Sequence, residues 1–323
     1  MTIGIAAWGP DAGHAAFEAL KAAESAARGS IGGFAVFAAI TGDGRVIRAE
    51  TQRGGTATLF LKGETTGTNP PDEAGAAPLA ALMSSGPDRP EPLAQFVVAD
   101  ERAGLVTGHR LPNAAAVSGQ PLNAEILDLM RVGLAPADAV RQVLEANPHA
   151  DAGVIAASPD GDIWAQNSLR VARRPDLGAA RRMHLGADGR ASAIIEVLHN
   201  AIFPPASLAP LVADIGLERM VPSSRAKGWL VVRAGTPVAA AEENALEVGD
   251  DMVVARVLTS DHRITTGRWN CAAIYLGSAV RQGGRLVGHT LLEPNVMVED
   301  GTIVSLSGQK EMRLGYRESS QEL

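Results

Sequence analysis

The stretch from Gly32 to Thr51, GGFAVFAAITGDGRVIRAET, decides the fold class. An apolar run ends at Ile40, Thr41-Gly42-Asp43-Gly44 makes a turn, and Val46, Ile47 and Ala49 carry the chain back. An Asp-Gly pair between two apolar runs marks a β-hairpin, because a tight hairpin turn needs positive φ and these residues adopt it at little cost. Upstream, Met1 to Trp8 reads as a buried strand, Gly9-Pro10-Asp11 turns it, and Asp11 stands where a helix cap is expected. Ala16, Phe17, Leu20, Ala23 and Ala27 then repeat at helical spacing, with Glu18, Lys21 and Glu24 on the other face and Gly29 placed to end the helix. The order is therefore strand, helix, hairpin.

That order returns. Gly104 to Leu111 reads as a strand, and Leu122 to Val132 as a helix ended by Gly133. Pro136 opens a second helix that stops at Asn147-Pro148. A hairpin follows, Gly153 to Ala157 and Ile163 to Val171, turning at Ser158-Pro159-Asp160-Gly161. A weaker third copy has a strand at Met183 to Leu185, helices over Ser192 to Phe203 and Ser207 to Ile215, and a hairpin joining Trp229–Val232 to Val238–Ala241. Further short strands are expected at Ala57 to Leu61, Val253 to Leu258, Ala272 to Leu276, Leu286 to Leu292 and Ile303 to Leu306. Thr65 to Pro92, rich in Pro, Gly, Ser and Thr, reads as a long mobile surface loop with a short helix near Leu79 to Met83, able to act as a lid. Ser319 to Leu323 reads as a frayed tail. These units predict an α/β (α+β layered) fold with a β-rich C-terminal part. A division into 1–175 and 176–323 is one option and a single continuous domain the other.

Composition narrows the function classes. The chain has 323 residues, enough for a well-buried core, and its aromatic content of 4% leaves packing to small and branched aliphatic side chains. A net charge of −7 without a basic stripe argues against nucleic acid as a partner. No apolar run approaches the ~20 residues a spanning helix needs, and no signal-peptide pattern opens the chain. Cys271 is the only cysteine, so no internal disulfide forms, and a cytoplasmic location is the expectation. The seven histidines show no metal-ligand spacing, no glycine-rich phosphate loop is present, and Cys271 reads as a buried thiol. No cofactor is expected, the partner is a small-molecule substrate, and a homo-oligomer is compatible with the composition.

Two segments carry a family likeness. Thr2-Ile3-Gly4-Ile5-Ala6-Ala7 is similar to the nucleophile strand of the isoaspartyl peptidase and asparaginase branch of the N-terminal nucleophile hydrolases. Leu127 to Pro136 with Val154 to Gly161 resembles a helix pair and hairpin of an uncharacterised bacterial family placed in that superfamily. Together they span about the first half of the chain. The resemblance implies an αββα sandwich and amide-bond hydrolysis on a small amide or ring amide. It also implies an amino-terminal Thr, Ser or Cys whose own α-amino group, with a pKa near 8, serves as the base.

The candidate residues follow. Thr2 becomes the first residue once Met1 is removed. Ser30 in Gly29-Ser30-Ile31-Gly32-Gly33 is the competing nucleophile, because a hairpin follows it, and it would need cleavage after Gly29. Gly54 and Gly55 offer bare N–H groups to an oxyanion, His109 a hydrogen bond to orient substrate, and Arg110 a bidentate grip on a carboxylate. Asn167 and Ser168 end a hairpin strand that lines the same cleft. Each also has a structural reading: an edge strand at Thr2, a loop at Ser30, a turn at Gly54-Gly55 and a strand end at His109-Arg110. Two other functions stay open. One is a pseudo-threefold ring-opening amidohydrolase using Ser30, Ser168 and Ser224. The other is an inert ligand-binding protein on a hydrolase-like frame.

Overall fold

The computed structural model describes residues 1–27, 30–61, 69–186, 188–202, 205–221 and 228–317. The chain divides into two units, Met1–Val221 and Pro222–Leu323. The boundary falls well beyond residue 175, because the strands that follow it complete the first unit's larger sheet.

Among the described residues, ten strands build the first unit: β1 (Thr2–Trp8), β2 (Phe34–Ile40), β3 (Val46–Thr51), β4 (Leu79–Ser85), β5 (Val98–Asp100), β6 (Gly104–Arg110), β7 (Ala152–Ala157), β8 (Ile163–Asn167), β9 (Leu177–Leu185) and β10 (Ala191–Asn200). Its long helices are α1 (Ala12–Ala26), α4 (Leu122–Arg131), α5 (Pro136–Ala146) and α7 (Pro205–Met220). Single turns form α2 (Thr56–Leu59), α3 (Asp72–Gly75) and α6 (Leu169–Ala172). Six strands make one antiparallel sheet in the order β3-β2-β4-β1-β10-β9, and four make a second in the order β5-β6-β7-β8.

Side-chain alternation assigns the layers. Along β1, Ile3, Ile5 and Ala7 join Phe17 and Leu20 of α1 and Leu208 and Val212 of α7 in one core. Ala6 and Trp8, on the other face, pack with Phe34, Val36, Leu82's neighbours Ala81 and Met83, and with Leu105 and Ile155 of the four-stranded sheet. That sheet turns Val106, Val154 and Ala156 outward onto Ile126 of α4 and Val140 of α5. The unit is thus an αββα sandwich, with both Asp-Gly hairpins in its layered core and α1 outside through Phe17 and Leu20. Burying each of these large side chains stabilises the fold by about 1.5–3 kcal/mol.

Several elements differ from the sequence-based expectation. Leu79 to Ser85 is a wholly buried central strand and not part of a surface loop. With strands on both sides and cores on both faces it shows no alternation, which is why its pattern resembles neither a helix nor a half-exposed strand. Its position removes the mobile-lid expectation for that stretch, while residues 65–68 of the same segment lie outside the described residues. Ser192 to Asn200 is strand β10 and not a helix; it is buried on both faces, and its apolar run fits either period. Ala57 to Leu61 is the helical turn α2, ended by Phe60 and Leu61. Asp11 does not cap α1 with its side chain; its φ of 56° turns the chain and its carboxylate pairs with Arg219 at 3.1 Å. Gly29 and Ser319 to Leu323 lie outside the described residues.

The second unit is β-rich as expected, with β11 (Gly228–Arg233), β12 (Val238–Ala240), β13 (Ala245–Val248), β14 (Val254–Thr259), β15 (Arg268–Cys271), β16 (Ala279–Gln282), β17 (Arg285–Thr290), β18 (Val296–Glu299), β19 (Thr302–Leu306) and β20 (Glu311–Arg317). They form a seven-stranded sheet, β11-β20-β17-β16-β13-β14-β12, and a three-stranded one, β15-β18-β19, around Leu246, Val257, Val280 and Leu314. The expected hairpin of β11 and β12 is absent: β11 pairs with β20 and β12 runs parallel to β14. Ala272 to Leu276 is not a strand; β15 ends at Cys271, whose thiol is half-buried. Among the described residues no helix is long and apolar enough to cross a membrane.

His199 gives the first unit a pH-dependent stability. It is fully buried, neither ring nitrogen has a hydrogen-bond partner among the described residues, and its alternation with Ile195 and Val197 places it on the helix-facing side of β10. Burial holds its pKa down at about 4. As pH falls below the ordinary ~6.5 of histidine, the unfolded chain takes up a proton that the fold refuses. Stability is therefore complete above that value and is lost as pH falls through the folded pKa, by ~2 kcal/mol at pH 5. Denaturant titrations from pH 7.5 to 5 are expected to show this slope, and His199→Leu to flatten it while costing little at pH 7.5, since both unpaired nitrogens leave together.

Candidate functional site

Six strand ends meet at one end of the inter-sheet layer. Thr2 opens β1 and lies between Ser85, which closes β4, and Asn200, which closes β10. From the facing sheet come His109 and Arg110 at the end of β6, Gly153 near the start of β7 and Asn167 at the end of β8. Thr2 is 1% exposed and His109 0%, so the cluster belongs to the interior except where a cavity reaches it.

Glycine makes the approach possible. A Cβ on Gly4 would overlap the Gly108 carbonyl, so these two residues let β1 and β6 touch backbone to backbone. Across that contact the Arg110 N–H donates to Thr2 Oγ1 at 2.6 Å. Arg110 takes φ of 64°, a left-handed conformation that costs a residue with a side chain on the order of 1 kcal/mol, and the result is an amide aimed at the threonine hydroxyl.

The hydroxyl in turn donates to Asn200 Oδ1 at 2.6 Å. His109 Nδ1 lies 3.3 Å from the same oxygen and Nε2 lies 2.6 Å from Asn167 Oδ1. Gly153 leaves room for this last contact, since a Cβ there would overlap both partners. Burial pushes the His109 pKa down, so the ring is neutral and carries a single proton. One of the two amides must then present its nitrogen to the ring, because a lone N–H cannot donate at both sides. The result is a fixed line from Asn167 through His109 and Asn200 to Thr2.

Thr2 borders a cavity of about 250 Å³ with Met1, Arg89, Arg110, Asp151 and Asn200. Arg110 forms a bidentate pair with Asp151, Nη2 to Oδ2 at 2.5 Å, and this hydrogen bond holds the Asp151 carboxyl below its usual range. The Met1 amino group at the same mouth is lowered by partial burial and then by the charges of Arg89, Arg110 and Arg174. A larger hollow of about 930 Å³ lies near Trp8, at the other end of β1, bordered by Trp164, Arg181 and Glu196. Burial raises the pKa of Glu196, which Arg181 holds at 2.8 Å, but among the described residues no hydroxyl, thiol, amine or imidazole side chain borders that hollow. The chemistry concentrates at Thr2.

Of the residues singled out from sequence, Thr2, His109, Arg110 and Asn167 converge. Arg110 differs from expectation, because its guanidinium is already engaged by Asp151 and its main-chain N–H is what meets Thr2. His109 is sealed from solvent and touches Asn200 in place of a substrate. Gly54 and Gly55 stand apart: the Gly55 N–H is bound to the Gly33 carbonyl at 2.9 Å and the pair packs against Glu24 and Thr58 as the entry to α2. Ser30 lies beside Gly86, outside the residues bordering the cavity. Ser168 caps α6, accepting from the Val171 N–H at 3.1 Å and donating to the Ala150 carbonyl at 2.6 Å. Ser224 lies outside the described residues. Asn200, Asp151 and Arg89 join the site without having been singled out. No group of three or more His, Cys, Asp or Glu able to hold a metal occurs among the described residues.

Residues 2–229 match the domain of unknown function DUF6963, and the chain belongs to that family. Residues 235–311 match a second domain of unknown function, DUF7259. No curated protein matches the chain.

Proposed function

We propose that this member of the DUF6963 family is a cofactor-independent amide-bond hydrolase of the N-terminal nucleophile type, acting on a small amide or ring amide. The observation that carries the proposal is the Thr2 hydroxyl, held by two 2.6 Å hydrogen bonds at the wall of a cavity between the sheets of an αββα sandwich. The mechanism requires that Met1 be removed, so that the Thr2 nitrogen is an amine. The arginines that depress the Met1 amine act on the same mouth and favour the neutral, proton-accepting form.

In the proposed reaction Thr2 Oγ1 attacks the substrate carbonyl while its proton passes to the Thr2 amine. The Asn200 amide N–H₂, which has no partner of its own among the described residues, donates to the oxyanion. The ammonium returns its proton to the departing nitrogen as the C–N bond breaks, leaving an ester on Thr2. Water, deprotonated by the same amine, then cleaves the ester and releases the acid. His109 and Asn167 act as positioning residues through Asn200. The small cavity matches a substrate well below drug size. The single cysteine is in keeping with a cytoplasmic protein.

Asn200→Ala tests the assignment. The expected result is a fall in kcat of about 100-fold with a much smaller change in KM, as for the loss of one oxyanion donor. An unchanged kcat removes Asn200 from the mechanism. Ligand binding without turnover is the second reading, and it holds if Met1 is retained at the cavity wall, since a Thr2 nitrogen locked in a peptide bond cannot serve as base.

A further inference from the structure

Most arginines near the cavity are matched. Arg110 pairs with Asp151, and Arg174 pairs with Asp176 at 2.5 Å. Arg89 is the exception, with no carboxylate partner among the described residues. Its main chain is clamped on both sides by Gln52, which accepts from the Arg89 N–H at 2.9 Å and donates to its carbonyl at 2.7 Å. Its Nε donates to Ser85 Oγ at 3.2 Å, and its guanidinium lies 5.8 Å from the centre of the Phe96 ring. Ser85 is the direct strand neighbour of Thr2. The side chain is therefore fixed at its Nε and half-buried at the wall of the Thr2 cavity, with no hydrogen-bond partner for its terminal amino groups among the described residues.

Two arginines and one aspartate border that cavity, so one positive charge remains uncompensated. A guanidinium beside a second one, partly withdrawn from water, calls for a counter-charge, and none is present among the described residues. Burial and the neighbouring Arg110 charge accordingly lower the Arg89 pKa. A planar fork with two free amino groups matches a carboxylate. We infer that the substrate of the Thr2 site is a small carboxylate-bearing amide whose carboxylate is taken up by Arg89. This inference rests on the Thr2 reading for the reaction, but not for the binding of the anion.

The test compares charged and neutral amides with the same number of carbons. Succinamate against butyramide places the carboxylate on the acyl part, and N-acetylglycine against N-ethylacetamide places it on the amine part. The wild-type protein is expected to favour the anionic member of at least one pair by tenfold or more in kcat/KM, and Arg89→Met to erase that preference. Arg89→Lys should restore part of it. A merely structural role for Arg89 lowers both members of a pair together. Equal rates for charged and neutral amides, or a preference that survives Arg89→Met, overturns the inference and leaves Thr2 catalysis standing. If no amide is turned over, calorimetric titration with succinate decides: binding lost in Arg89→Met supports the anion site, and no binding to the wild type overturns it.

Discussion

Thr2→Ala is expected to abolish amide hydrolysis, lowering kcat/KM by at least about 10³-fold, while Thr2→Ser retains measurable activity because amine and hydroxyl both survive. The structure adds a stability cost that a residue at a chain end would not ordinarily carry. Thr2 is buried, and losing its hydroxyl leaves the Arg110 N–H without an acceptor and Asn200 Oδ1 without that donor. Thr2→Ala should therefore also lose about 1–3 kcal/mol of stability, and Thr2→Ser much less. Activity must be assayed well below the variant's melting temperature, so that lost chemistry is not confused with lost fold. A Thr2→Ala protein that is folded and fully active would dismiss Thr2 as nucleophile.

Gly4→Val is expected to destabilise the first unit by about 3 kcal/mol or more. The added carbon would strike the Gly108 backbone, and neither β1 nor β6 can yield, since each sits inside its sheet. Parting the sheets would also carry the Arg110 N–H away from Thr2. Gly42→Ala is the control: a Cβ at that position meets nothing within 4 Å, and its effect should stay within about 0.5 kcal/mol. Denaturant midpoints of the two variants check both statements. A Gly4→Val protein as stable as the wild type would mean that the sheets are not in backbone contact at this end.

Local chemistry made much of the sandwich readable before the structure. The Asp-Gly turns at Asp43-Gly44 and Asp160-Gly161, and the Gly133 and Pro136 punctuation between α4 and α5, are signals that tertiary packing does not override. The central strands β4 and β10 are not legible in the sequence, because burial on both faces erases the alternation that marks a strand at a surface. Part of the site is hidden with them. Asn200 is meaningful only as the last residue of a strand beside Thr2, and a helix assignment over Ser192 to Phe203 removes that pairing. Arg89 lay within a Pro-rich stretch whose course sequence does not give, and Asp151 stands just before β7 with no motif around it. Thr2, His109 and Arg110 were legible because a hydroxyl at the start, and a polar pair within an otherwise apolar strand, stand out by type. The Gly54-Gly55 donors were not recognisable as spent, since nothing local says that the Gly55 N–H is consumed by Gly33.

The most direct test of Thr2 catalysis is the mass of the amino-terminal peptide from purified active protein, before and after brief exposure to a hydrolysable amide and acid quench. The expected result is a chain that begins at Thr2, with the substrate's acyl group appearing on that residue during turnover. Active protein that still carries Met1, or an acyl group found on Ser30 of a chain cut after Gly29, would contradict the assignment.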